Sequence, residues 1–310
     1  MAAVSPELLL PAPRPSEAPL WHRLARRARE YALLMRLDRP IGTWLLLWPV
    51  LWALWIAGGG HPRERVLIVF VLGVAVMRAA GCIINDLADR DIDPHVKRTR
   101  ERPLAARRVS PHEALVLFAA LLAIALWLVT RLDPLTVKLS VVGAVLTITY
   151  PLAKRFISLP QLYLGISFGG WGVPMAFAAL RGSLPRIAWM LFIAAVIWAV
   201  IYDTLYAMVD REDDIKLGVK STAILFADMD RAIILMLQVL MLLDLWLAGR
   251  SMHFGAWYYA GLVMAAVLFA YEQWLVRRRE PAACFAAFQH NNYVGMAIFI
   301  GIALQYLYAR

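Results

Sequence analysis

Charge is scarce in this chain: Asp, Glu, Lys and Arg make up 17% of its 310 residues, and 61% are hydrophobic. A soluble domain devotes about a quarter of its residues to charge, so an ordinary water-facing surface is excluded. Cysteine is nearly missing. Cys82 and Cys284 both lie in or near apolar stretches and form neither a disulfide framework nor a recognisable metal-site spacing; they read as small buried hydrophobes. Also missing is the apolar–polar alternation, in segments of about ten residues, that a membrane β-barrel needs. Acid is the scarcer sign, 22 residues against 32 basic ones, so the places where acid gathers stand out.

What the chain does have is long apolar runs. Nine recur, at about 42–60, 65–88, 113–130, 134–152, 160–180, 187–209, 231–249, 254–276 and 288–308, each near the length of a bilayer crossing. The fold class is therefore all-α: a polytopic membrane protein with nine transmembrane helices and the lipid bilayer as its solvent. Alternating nine spans from a cytoplasmic N-terminus puts 23 of the 32 Lys and Arg residues on the cytoplasmic side, the positive-inside asymmetry. A net charge of +10 thus requires no nucleic acid as partner. The bacterial inner (plasma) membrane is the preferred location, a mitochondrial inner membrane the second. Residues 1–19 are Pro-rich and expected to be a disordered tail. Residues 20–40 set apolar residues near helical spacing against a cluster of arginines, as an interfacial amphipathic helix does, and 41–310 form the transmembrane domain.

The second run ends in "GCIINDLADRDID" (81–93). An Asp at a helix centre costs about 2.5–3.5 kcal/mol on insertion scales, so acid at the end of a span calls for a reason. Asn85, Asp89 and Asp93 recur every fourth residue, which stacks their side chains along one helix face. Like charges at that spacing repel; a divalent cation reverses the sign. The pattern returns where the sixth run closes, in "YDTLYAMVDREDD" (202–214). There Asp210-Arg211-Glu212-Asp213-Asp214 aligns with Asp89-Arg90-Asp91-Ile92-Asp93, and Asp203, Asp210 and Asp214 share a face. Both runs are even-numbered, so both motifs emerge at one membrane surface as a pair of acidic jaws. Carboxylates and an amide suit Mg²⁺ held together with phosphate oxygens; the lack of His and Cys in both motifs argues against zinc or copper. Behind the acids stand bases: Lys97, Arg98, Arg100 and Arg102, and Lys154 with Arg155 in "YPLAKR" (150–155). Together with Mg²⁺ they make a diphosphate clamp, although topology alone also puts bases there.

The two motifs, with "RLDRPIGTWLLLWP" (36–49), "MRAAGCIINDLADRDID" (77–93), "RTRERPL" (98–104), "YPLAKR" and "GVPMAFAA" (172–179), resemble the UbiA superfamily of intramembrane prenyltransferases, and within it the members that act on 4-hydroxybenzoate. The likeness runs from about residue 31 to the C-terminus. It implies nine helices around a central cavity open to the cytoplasmic side. It implies transfer of a polyprenyl chain from polyprenyl diphosphate to the ring of 4-hydroxybenzoate, early in ubiquinone synthesis. By the same resemblance Asn85, Asp89 and Asp93 bind one Mg²⁺ and Asp210 and Asp214 another, while Arg102, Lys154 and Arg155 take the diphosphate. Arg36 lies in the first-span signature and is a candidate for the benzoate carboxylate.

The chemistry suits these residues. Charge compensation at the diphosphate promotes ionisation of an allylic C–O bond, and the resulting cation needs a dry site with aromatic faces. Tyr150, Trp171, Tyr202 and Tyr206 lie near the relevant helix ends. Asp203, deeper than Asp210, is the candidate base for the ring proton. Arg78, a base inside a span, is a functional candidate by default, either for the substrate carboxylate or as a bridge to Asp86. Two rival readings are the same chemistry on another aromatic acceptor and, from a different class, a cation-coupled transporter; the second expects acids at the midplane rather than at one surface.

Overall fold

A computed structural model describes residues 19–96 and 99–308, apart from the side chains of residues 152–155 and 217. All regular structure among them is helical. The expected disordered tail, save Pro19, lies outside the described residues. The amphipathic segment forms α1 (Leu20–Leu34). There follow α2 (Ile41–Ala57), α3 (Glu64–Ala88), α4 (Pro111–Val129) and α5 (Pro134–Phe156). Next, α6 (Pro160–Leu164) passes through a π turn (Gly165–Gly170) into α7 (Gly172–Arg181). The remainder is α8 (Arg186–Leu217), α9 (Thr222–Phe226), α10 (Asp230–Ser251), α11 (Ala256–Leu275) and α12 (Pro281–Tyr308).

Each of the nine apolar runs falls on one of these rods, the fifth on α6–α7. Seven described segments are long and apolar enough to cross a membrane, which makes this a multi-pass membrane protein. The expected count of nine is not reached on that criterion. α2 is apolar but only 17 residues long, and the first half of α12 carries Gln289, His290, Asn291 and Asn292, which lower its hydropathy.

Helix ends follow local chemistry. Ser110 and Glu113 close a reciprocal capping box at the start of α4. Gly182 and Gly218, at φ of +64° and +67°, end α7 and α8 in the left-handed conformation open to glycine. The interior is built around α8. Its Trp198 packs on Trp52 of α2, ring centroids 5.3 Å apart. The Trp198 indole N–H donates to Asn291 Oδ1 (2.8 Å) and that of Trp52 to the Gly295 carbonyl (3.0 Å), so both fully buried rings have satisfied polar handles. At Gly169 in the π turn a Cβ would stand 2.8 Å from the Ala199 Cβ; its absence lets the turn press against α8, as small residues do between membrane helices. The outer surface is apolar: Leu115, Trp127, Val145, Val239, Val263 and Val267 are all exposed, as lipid contact requires. At 1.5 Å per residue, the 32-residue α8 is about 48 Å long. A bilayer core is about 30 Å thick, so the end bearing Asp210 and Asp214 reaches beyond it.

Candidate active site

The two acidic motifs are built differently. In α8 the helix is unbroken from Arg186 to Leu217, so Asp203, Asp210 and Asp214 share one face as expected; all three are half-buried, and Glu212 is exposed. The first motif departs from expectation. α3 stops at Ala88, Asp89 is its C-cap, and a short 3₁₀ turn spans Asp93–His95. Asn85, Asp89 and Asp93 therefore do not stack along one helix. Asn85 Nδ2 donates to Asp89 Oδ2 (3.1 Å), whereas Asp93 belongs to the turn. Pro94 cannot donate to a continuing helix, and Thr99 Oγ1 donates to the Asp93 carbonyl (2.9 Å), holding the turn closed.

The turn carries Asp93 inward onto an ion-pair network centred on Asp86, which is 1% exposed. Arg36 Nη2 donates to both Asp86 carboxylate oxygens (2.7 and 3.0 Å), and Arg102 Nη1 donates to Asp86 Oδ1 (3.1 Å) and Asp93 Oδ2 (2.9 Å). Arg36 has φ +57°, an unfavourable conformation for a side-chain-bearing residue that the Asp86 grip holds in place. Burial pushes the Asp93 carboxyl above its ordinary range, with Asp86 and Asp89 adding to the push; Arg102 pulls the other way. A carboxylate so placed gains from any further cation brought near it.

Deeper in α3, Arg78 lies against the Cys82 thiol and over the backbone of α2. A Cβ at Gly42 would stand 2.5 Å from Arg78 Nε, so a side chain there would push the guanidinium aside. Arg36, Asp86, Tyr150 and Tyr202 are all within electrostatic reach of Arg78. The expected bridge from Asp86 thus runs to Arg36 and Arg102, and no ion pair of the described residues includes Arg78. Tyr202 is 4% exposed, and its hydroxyl has no hydrogen-bond partner among the described residues; its ring lies edge-on to Trp198 and near Phe288. Buried hydroxyls are nearly always paired, and an orphan calls for a ligand or a water. Tyr150 stacks on Tyr163 and meets Phe168 edge-on, and Tyr206 packs against Phe285 and Phe288. These rings form an aromatic wall that runs from α5 to α12 beside Tyr202. Trp171 does not belong to that wall: its indole donates to the Leu139 carbonyl (2.8 Å), tying α5 to the rod of α6 and α7.

Lys97 and Arg98 lie outside the described residues. So do the side chains of Lys154 and Arg155, whose backbone forms the last turn of α5. Two residues absent from the expected site are prominent. Asp86 stands next to Asn85 in "GCIINDLADRDID". Asp230, fully buried at the start of α10, accepts from Arg211 (2.5 Å) and from Arg279 (2.9 Å). It draws Arg211, the neighbour of Asp210, toward the α11–α12 loop. No local sequence pattern joins positions 211, 230 and 279.

Among the described residues no three His, Cys, Asp or Glu side chains converge into a metal cage. Mg²⁺ needs none: it takes one or two carboxylates and completes its octahedron with waters and substrate phosphate oxygens. Asn85 with Asp89, and Asp210 with Asp214, are hard oxygen donors of that kind, so the donor set fits.

The family model of the UbiA prenyltransferase family matches residues 46–299. A protein of Alkalilimnicola ehrlichii named 4-hydroxybenzoate octaprenyltransferase is 57% identical over 281 residues, which cover 91% of this chain and 96% of that one. The apo structure of a UbiA homolog from Aeropyrum pernix superposes with a TM-score of 0.73 at 25% identity, covering 85% of this chain and 97% of the homolog. A UbiA homolog from Archaeoglobus fulgidus, solved bound to GPP and Mg²⁺, shares the fold with a TM-score of 0.65 at 19% identity, covering 90% and 99%.

Proposed function

The chain belongs to the UbiA prenyltransferase family, and from that premise we propose that it transfers a polyprenyl chain from polyprenyl diphosphate to the carbon ortho to the hydroxyl of 4-hydroxybenzoate, releasing diphosphate, in ubiquinone synthesis. One observation carries the reading: two Asp-bearing helix ends lie about two turns from a half-buried arginine and a buried tyrosine hydroxyl without a partner among the described residues, Arg78 and Tyr202. Acid at the membrane surface suits a charged diphosphate whose tail stays in lipid. Arginine and phenol in the interior suit a small aromatic acid.

Asn85, Asp89 and Asp93 on one side and Asp210 and Asp214 on the other would hold Mg²⁺. Mg²⁺, when bound, supplies charge compensation for the departing diphosphate. Lys97, Arg98, Lys154 and Arg155 add basic charge to the same end, and Arg102 anchors the loop between the two. The C–O bond of the allylic diphosphate breaks with its electron pair going to oxygen. Tyr150 and Tyr206 present π faces to the developing cation, and the packed aromatic walls exclude water that would quench it. Arg78, with no carboxylate partner among the described residues, is the better candidate of the two arginines for the acceptor carboxylate; both Nη groups of Arg36 already donate, to Asp86 and to the Leu33 carbonyl. The acceptor ring attacks, and Asp203, one residue from Tyr202 on α8, accepts the proton from the ring carbon. Substrates and acids meet at the cytoplasmic face of a bacterial inner membrane in this reading, which the sidedness of the basic residues supports.

The test is transfer of labelled 4-hydroxybenzoate into a lipid-extractable product by the purified chain in liposomes, with a polyprenyl diphosphate and with Mg²⁺ or a chelator. Mg²⁺-dependent product is the expected outcome. Product with homogentisate or a dihydroxynaphthoate, and none with 4-hydroxybenzoate, would overturn the acceptor and leave the reaction class standing.

A further inference from the structure

Between α1 and the loop joining α3 to α4 lies a groove of about 550 Å³ that the prenyl-transfer reading does not use. Its charged lining is one-sided: four guanidiniums, of Arg23, Arg26, Arg27 and Arg108, against the single carboxylate of Glu30. Two of the four are committed. Arg27 Nη2 pairs with Glu113 at 2.5 Å, and Arg108 Nε donates to Glu30 at 2.9 Å. Those bonds, with one from Tyr31 to Glu113 (3.1 Å), pin α1 to the start of α4 and shape the groove. Arg23 and Arg26 have no ion-pair partner among the described residues, and they face the same hollow.

Unneutralised guanidiniums gathered at one hollow repel one another, and an anion there reverses the sign. The geometry says what kind. Guanidinium forks match phosphate oxygens two at a time. The remaining lining is aliphatic, Leu20 and Leu24, which are 68% and 60% exposed, with Trp21 beside them at 64%. A soluble anion has no use for that apolar lip. An amphiphile lying at the membrane interface does, with its headgroup on the arginines and its chain along the leucines. The volume is in the range of small-ligand sites. We propose that this groove binds the phosphate headgroup of an anionic phospholipid from the surrounding leaflet, seated by Arg23 and Arg26 and flanked by Leu20 and Leu24.

The test uses the full chain purified in detergent. Thermal unfolding is followed against short-chain phosphatidylglycerol, the matching phosphatidylcholine, inorganic phosphate and inorganic diphosphate, and lipid retention is read by native mass spectrometry. The expected result is a saturable rise in Tm with phosphatidylglycerol, with retained anionic lipid, and no rise with phosphatidylcholine or inorganic phosphate. In the double variant Arg23→Gln/Arg26→Gln the apparent phosphatidylglycerol affinity falls by about thirtyfold, on the scale of two basic residues at an anionic surface. Its lipid-free Tm stays that of the wild-type chain, because both side chains are exposed. Arg23→Lys/Arg26→Lys retains part of the affinity. Equal responses to the two lipids overturn the proposal, as does an undiminished response in the Gln variant. A full Tm rise with inorganic phosphate or diphosphate that the Gln variant abolishes also overturns it, by assigning the groove to a soluble anion.

Discussion

Replacing Asp86 by alanine removes the one carboxylate that Arg36 and Arg102 both grip. Three charge-assisted hydrogen bonds of 2.7 to 3.1 Å are lost; of the two guanidiniums, with 17% and 20% of their side chains exposed, Arg36 is left without a carboxylate and Arg102 with Asp93 alone. Breaking one side of a buried ion pair costs about 3–5 kcal/mol, because the surviving charge stays desolvated. Arg36 also loses the partner that holds its φ of +57°. At about 2–4 °C per kcal/mol, the Tm of the purified chain should fall by roughly 10 °C. Asp86→Asn keeps an oxygen acceptor and should fall by about half as much. The assay is thermal unfolding in one detergent, completed by a double-mutant cycle of Asp86→Asn with Arg36→Gln. Coupling of about 1–3 kcal/mol is expected for a contacting pair. Asp86→Ala at wild-type Tm, or a cycle additive to within about 0.5 kcal/mol, would refute the idea that this network organises the first motif.

Other perturbations separate the parts of the site. Gly42→Ala pushes a Cβ against the Arg78 guanidinium; it should raise KM for the aromatic acceptor about tenfold or more and leave KM for the diphosphate unchanged, read from steady-state kinetics in each substrate. Asp203→Asn should cut turnover by about 10²–10⁴-fold, the range of general-base contributions, while Mg²⁺-dependent diphosphate binding persists; binding lost in proportion to turnover would remove Asp203 from that role. Asp230→Asn loosens Arg211 and Arg279 together. It should lower Tm by several degrees and weaken Mg²⁺-dependent diphosphate binding, measured by calorimetry, because Arg211 is then released beside Asp210 and Asp214.

The rods were legible in the sequence because apolar length alone marks a membrane helix, and the second motif was legible because α8 runs straight through it. The first motif was read on a helix that stops at Ala88. Its four-residue spacing is intact, but Pro94, the visible breaker, stands five residues past the C-cap, and the inward pull of Arg102 on Asp93 comes from nine residues away. The break in the fifth run was hidden for a related reason. Gly165, Gly169 and Gly170 sit within an apolar stretch, and the π turn they make depends on how closely α8 approaches. The roles of Asp86 and Asp230 rest on contacts across 50 residues or nearly so, from Arg36 to Asp86 and from Asp230 to Arg279, which no local pattern carries. Arg36 and Arg78 were both candidates in the sequence, and which of the two Asp86 holds is visible only in the fold.

The most direct measurement of the central claim is the rate of Mg²⁺-dependent transfer of a labelled polyprenyl chain to 4-hydroxybenzoate by the wild-type chain, by Asp89→Ala and by Asp210→Ala, each shown to be folded by its Tm. If the two acidic motifs act together on one diphosphate, each substitution should reduce the rate by about 10²–10³-fold, the scale of a lost electrostatic contact at a developing charge. Transfer at the wild-type rate by either folded variant would contradict it.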